Sequence, residues 1–243
     1  MTAPAAAETT RAKQGILVEH PSGRVLFEKA ADTPMAPSSM TKLMTLYLAF
    51  EALREGRISE TTSVKIGKRA AAARGSNMTL GAGESVAFGD LVRGTAIASA
   101  NDAAVAIAEH ISGTEAAFAR AMTAKARQLG MRATTFRNAH GLPDSEQVTT
   151  ARDMATLALA VYDHFPRHAQ VFATRQFNYA GASYRNHNTL LGNFAGMEGI
   201  KTGYTRASGF NLSASVRRDG RHVVAVVLGG RTAATRNAEM RTL

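Results

Sequence analysis

The sequence predicts an α+β protein: an antiparallel sheet packed by helices, with a helical subdomain. Three observations carry that reading. Short alternating apolar runs lie near both ends, helical periodicity fills the middle, and an Asp-Gly turn joins two such runs near the C-terminus. The 243 residues suit one domain or two closely packed subdomains, and an apolar fraction of 45% is enough for a core.

The elements follow in order. Residues 1–14 begin rich in Ala and Thr and read as an arm outside the fold, leaving a folded domain over 15–243. Gly15–Glu19 and Arg24–Glu28 are apolar runs split by His20, Pro21, Ser22 and Gly23, a hairpin signature. Pro34 and Pro37 mark a loop. Ser38 or Ser39 then caps a helix to about Glu55, with Gly56 as its stop. Glycines at 75, 81, 83 and 89 break the next stretch into loops, short turns and a small strand pair. Asp90 is placed to cap a helix over 91–98, and Asp102 one ending at Gly113. Thr114 caps a third, to Leu129, and Thr150 opens a fourth that ends before Pro166. Short strands are expected at 176–179, 184–185 and 199–202. Residues 210–217 and 221–228 form a hairpin across Asp219 and Gly220, and a last helix begins near Arg236.

Composition removes several function classes. There is no cysteine, so neither a disulfide framework nor a thiolate metal site exists. The seven histidines are scattered and no H-E-x-x-H string occurs, so no metal and no cofactor are expected. The net charge of +10 attracts polyanions such as wall polymers, yet there is no Trp and no dense basic run, which argues against nucleic acid. No stretch reaches the roughly 18 apolar residues of a membrane span, so membrane association is not encoded here. Residues 1–11 lack the basic start and apolar run of a signal peptide.

Chemistry concentrates in three strings: Ser39-Met40-Thr41-Lys42, Ser99-Ala100-Asn101 and Lys201-Thr202-Gly203. A serine hydroxyl needs a base, and Ser39 and Lys42 share a helix face one turn apart. Lys42 can be that base only when neutral, which burial and a second cation, Lys201, would favour. The positive helix N-terminus further polarises Ser39. Ser99 can pass a proton toward a leaving amine, and Asn101 can bind Lys42 or a substrate amide. Lys201, Thr202 and Gly203 fall on an expected edge strand, where glycine admits close approach by an extended peptide. Lys201 and Thr202 are placed to hold a terminal carboxylate. The backbone amides of Ser39 and Tyr204 are candidates for an oxyanion hole.

These strings, in this order, are the signature of serine enzymes acylated by penicillins. With the stretches 36–45, 99–104, 138–143, 150–153 and 199–205, the chain resembles the low-molecular-mass penicillin-binding proteins, the D-alanyl-D-alanine carboxypeptidases of serine peptidase family S11. The resemblance runs from about Gly15 to the end. It implies a β-lactamase/transpeptidase-like fold with a five-stranded antiparallel sheet, flanking helices and a helical subdomain. It implies acylation of Ser39 by peptidoglycan stem peptides ending in D-Ala-D-Ala, and β-lactams as covalent inhibitors of the same serine. It implies an arginine near the start of the last helix that binds the substrate carboxylate; Arg236 matches best and Arg231 is the rival. It implies a periplasmic or extracytoplasmic address, with the signal absent from this chain. Many relatives carry a second, β-rich domain and a C-terminal amphipathic anchor, whereas this chain stops at Leu243. Many also have His where Tyr204 stands. The rival activities are a DD-endopeptidase with the same residues and a β-lactamase, for which Glu146 is the nearest glutamate but lacks an E-x-x-L-N context. A wall-binding protein without catalysis is the rival of another class.

Overall fold

The computed structural model describes residues 12–243. The expected arm lies outside the described residues as far as residue 11; Ala12 is already buried, and Gln14 opens the first strand. The elements are β1 (Gln14–His20), β2 (Val25–Lys29), α1 (Lys42–Arg54), β3 (Ser63–Lys65), α2 (Lys68–Ala71), β4 (Ser85–Ala87), α3 (Phe88–Arg93), α4 (Asn101–Ser112), α5 (Glu115–Gln128), α6 (Ala151–His164), β5 (Gln176–Tyr179), β6 (Ala182–Arg185), β7 (Met197–Thr205), β8 (Gly209–Arg218), β9 (Arg221–Gly230) and α7 (Ala233–Thr242).

The main sheet has five strands in the order β2-β1-β9-β8-β7, every neighbouring pair antiparallel. Its central strand explains the layers. Along β9, Val224, Val226 and Leu228 point into the main core with α1, α4 and α6, while Ala225 and Val227 join Leu212, Ala214 and Met240 under α7. A strand alternates its side chains between faces, so one covered on both sides carries no polar face. The β8–β9 turn uses Asp219 and Gly220, both at positive φ (52° and 72°), the two-residue geometry that matches strand twist. Two small hairpins, β3–β4 and β5–β6, lie outside this sheet.

The helical subdomain is built around α4, in which Asn101 to Ala108 are all buried. Its alanines at 103, 104, 106 and 108 let α1, α2, α3 and α5 pack around it. Thr114 and Thr150 cap α5 and α6 as expected, accepting from the amides of Ala117 and Asp153.

Three capping expectations and one helix start are corrected. Ser38 and Ser39 do not cap α1; they lie in a 3-10 turn, Ser38–Thr41, that runs straight into it. Asp90 sits inside α3, which starts at Phe88, and Gly94–Ala98 continues it as a wide π turn. Asp102 does not cap α4. Its buried carboxylate reaches across to accept from the amides of Met78 and Leu80. Helix α7 begins at Ala233, because Thr232 and Thr235 form a reciprocal capping box.

Candidate active site

The 3-10 turn ahead of α1 holds Ser39 half-buried, and Lys42 follows one turn later, fully buried. Lys42 Nζ lies 3.2 Å from Ser39 Oγ, 2.5 Å from Asn101 Oδ1 and 2.6 Å from the His140 carbonyl. The last two groups only accept. A neutral amine has two N–H bonds and one lone pair. When the amine is neutral, the two carbonyl oxygens take both N–H bonds and the lone pair is left for the Ser39 hydroxyl. Burial drives the Lys42 ammonium well below the usual lysine range, the Lys201 cation adds to it, and Asp102 opposes it more weakly.

Ser99 closes the π turn in the left-handed region, φ 57°, before α4 begins. Lys201 Nζ donates to Ser99 Oγ at 2.9 Å and to the Thr202 carbonyl at 3.2 Å. Lys201 is buried, and burial followed by repulsion from Arg236 pushes its ammonium down to about 7. Asn101 is held in turn by donating its amide to the Arg74 carbonyl.

Strand β7 is an edge of the sheet and lies against the turn carrying Ser39. Gly203 permits that approach, since a Cβ there would stand 2.2 Å from Ser38 Oγ and 3.2 Å from the Met40 nitrogen. Asn211 on β8 ties the turn down from behind, its Nδ2 donating to Ser38 Oγ at 2.9 Å. Arg236 on α7 is buried; its Nη1 donates to the Asn211 carbonyl at 2.8 Å, and burial pushes its guanidinium down to about 10.

A cleft of about 300 Å³ opens over these groups, lined by Ser39, Ser99, Thr202, Gly203, Tyr204 and Arg236. Lys42, Asn101 and Lys201 are buried and reach these groups by the hydrogen bonds above. All the sequence-selected residues are therefore brought together at one place. Arg231 is exposed and is not among the lining residues. Glu146 is exposed, paired with Arg137 at 3.0 Å, and does not line the cleft.

The sequence matches the peptidase S11 family, described as D-alanyl-D-alanine carboxypeptidase, over residues 1–232. The chain belongs to that family. It is 37% identical over 239 residues to D-alanyl-D-alanine carboxypeptidase DacA of Escherichia coli K12, covering 96% of this chain and 59% of that one. Among solved structures, penicillin-binding protein 5 of Haemophilus influenzae superposes with a TM-score of 0.95 at 33% identity, over 98% of this chain and 71% of that one. Penicillin-binding protein D2 of Listeria monocytogenes, solved in its ampicillin-bound form, superposes with a TM-score of 0.88 at 27% identity, covering 97% of each chain. The fold is that of the penicillin-binding proteins. The chain spans about three fifths of the length of the curated relatives it matches, 60% and 59%.

Within this S11 site, several groups had no signal in the sequence. His187, Ser76, Phe210 and Ala233 line the cleft, and Asn211 braces it. The His140 backbone carbonyl, which no residue type reveals, touches Lys42.

Proposed function

We propose that this S11-family protein is a serine-type D-Ala-D-Ala carboxypeptidase that trims the terminal D-alanine from peptidoglycan stem peptides. The observation that carries the reading is the surroundings of Lys42 Nζ: two acceptors at 2.5 and 2.6 Å and one hydroxyl at 3.2 Å, around a buried amine. Lys42 takes the Ser39 proton as Oγ adds to the carbonyl carbon of the penultimate D-Ala. The backbone amides of Ser39 and Tyr204 take the charge that develops on the carbonyl oxygen. The C–N bond then breaks. The departing amine gains, relayed through Ser99, the proton that Lys42 took from Ser39, which leaves Lys42 neutral again; Lys201 holds Ser99 at 2.9 Å. Lys201, Thr202 and Arg236 bind the carboxylate of the leaving D-Ala. Water, its proton taken by Lys42, then adds to the Ser39 ester; the C–O bond breaks, Lys42 returns the proton to Ser39 Oγ, and the shortened stem is freed. The chemistry calls for no cofactor.

β-Lactams fit the same course, with Ser39 opening the ring and no leaving group departing; the ampicillin-bound Listeria relative supports this. A wall substrate places the protein in the extracytoplasmic envelope. No helix among the described residues is long and apolar enough to cross a membrane.

The test is D-alanine release from a tripeptide ending in Lys-D-Ala-D-Ala, beside Ser39→Ala. Release that disappears in the variant supports the reading. Penicillin adduct formation without release from the tripeptide would instead favour cleavage of cross-links. An intact drug and an unmodified chain would overturn both.

A further inference from the structure

The His140 carbonyl is one of the two acceptors that orient the Lys42 amine, so whatever fixes that carbonyl sets the base. Segment 139–142 is a loop. Gly141, at φ +90°, passes so close to Ser38 that a Cβ there would stand 1.8 Å from the Ser38 carbonyl oxygen. Such a loop needs anchors of its own.

The anchor with charge is Glu115, in the first turn of α5 and buried to 3% exposure. Its Oε1 accepts from the Ala139 amide at 3.0 Å and lies 3.2 Å from His140 Nε2. Its Oε2 accepts from Arg69 Nε on α2 at 2.7 Å. The Leu142 amide donates to His140 Nδ1 at 3.0 Å. In the neutral ring, the proton is therefore on Nε2, facing Glu115. Burial keeps the ring in that form by pushing its pKa down to about 4, against the pull of Glu115. The Ala139 carbonyl accepts from Thr45 Oγ1 at 2.6 Å, fastening the segment to α1 itself.

We propose that Glu115 is a positioning residue for the general base. It clamps Ala139 and His140 so that the His140 carbonyl takes one N–H of Lys42 and the lone pair stays on Ser39. This inference rests on the acylation chemistry proposed above. No line of sequence motif marks Glu115, which is 73 positions from Lys42 and contacts no group in the cleft.

The test compares the full chain with Glu115→Ala and Glu115→Gln. The readouts are stopped-flow acylation by benzylpenicillin, and kcat and KM for the tripeptide. A displaced base costs on the order of 100-fold when the misplacement is about 1 Å. Glu115→Ala is expected to lose acylation and kcat by about that factor, with KM little changed. Glu115→Gln keeps an oxygen for the Ala139 amide and is expected to recover most of the rate. A general loss of fold would instead reduce the active fraction in both assays without changing the rate of the active molecules. Should Glu115→Ala be unfolded by circular dichroism, His140→Ala, which keeps the carbonyl but drops the ring contact, is expected to lose rate in the same pattern. Wild-type acylation rates in the folded variants would overturn the inference while leaving the carboxypeptidase reading intact. An unsubstituted chain that takes no penicillin would sink both.

Discussion

At the scale of single residues, the site holds two buried lysines whose ammonium forms are both disfavoured. Lys42 and Lys201 each lower their pKa chiefly by burial, and their mutual repulsion adds to the shift at Lys42. The acylating form needs neutral Lys42, so acylation is expected to rise with pH through that depressed pKa. Stopped-flow penicillin acylation across pH checks the sign, and a rate flat with pH would contradict it. Asn101→Asp puts a carboxylate where a neutral oxygen now lies 2.5 Å from Nζ. An opposite charge there favours the ammonium, so the acylation limb should move to higher pH, with a loss of about 10- to 100-fold at neutral pH. Lys201 has the opposite standing for stability. Its folded pKa of about 7 lies below the usual 10.5, so the unfolded chain binds more protons between those values, and stability is lost as the pH falls from 10.5 toward 7, with the full penalty below 7. Lys201→Met is expected to abolish turnover and raise the melting midpoint by ~3 °C or more, read by calorimetry.

At the scale of elements, the turn bearing Ser39 is a junction between helix α1 and strand β7, and its closeness is set by missing side chains. Gly203→Ala would drive a methyl into Ser38 Oγ, so β7 must move away from the turn bearing Ser39. We expect destabilisation by ~2 kcal/mol together with loss of acylation. A denaturant midpoint unchanged from that of the parent would show that the contact yields without cost. Element existence was legible in advance: both main hairpins, α1, α5 and α6 follow from periodicity and turn residues. The caps were less legible. Asp102 stands at a helix start, as a cap does, and takes the adjacent amide of Ala103, but its carboxylate also serves the amides of Met78 and Leu80 from a distant segment. Local pattern reading finds only the nearby amide, whereas the distant amides become partners once the fold delivers them.

At the scale of the whole molecule, the sheet end opposite the strand ends beside the cleft is closed by a histidine pair. His20 Nδ1 and His222 Nδ1 lie 2.9 Å apart, His20 Nε2 is 2.7 Å from Asp163 Oδ1, and Ser215 Oγ is 2.8 Å from His222 Nε2. One shared proton links β1 to β9, and the outer contacts extend to α6 and β8. Burial pushes His222 down to about 4, with Arg217 and His20 adding to the shift. Its folded pKa lies below the unfolded value of about 6.5. Its contribution is therefore whole above pH 6.5 and is lost as the pH falls toward 4. Thermal midpoints are expected to fall over that window and to fall less in His222→Gln. Parallel slopes in the two proteins would remove the assignment.

The sequence by itself determined the chemistry available. Ser39, Lys42, Ser99, Asn101, Lys201, Thr202 and Gly203 announce themselves because three short strings hold a serine one helical turn from a lysine, a serine–asparagine pair and a second lysine on a strand. Period and turn residues determined the α+β class, because a strand or helix shows its buried face in its own composition. Only the tertiary structure decided how the groups act together. The choice of Arg236 over Arg231 at the cleft follows from where α7 starts. The setting of Lys42 depends on the His140 carbonyl, and that carbonyl on Glu115. Backbone carbonyls are the same in every residue, and contacts between distant segments leave no local pattern. What a side chain is appears in the sequence; which oxygen it faces, and how far it lies from water, exists only once the chain has closed around it.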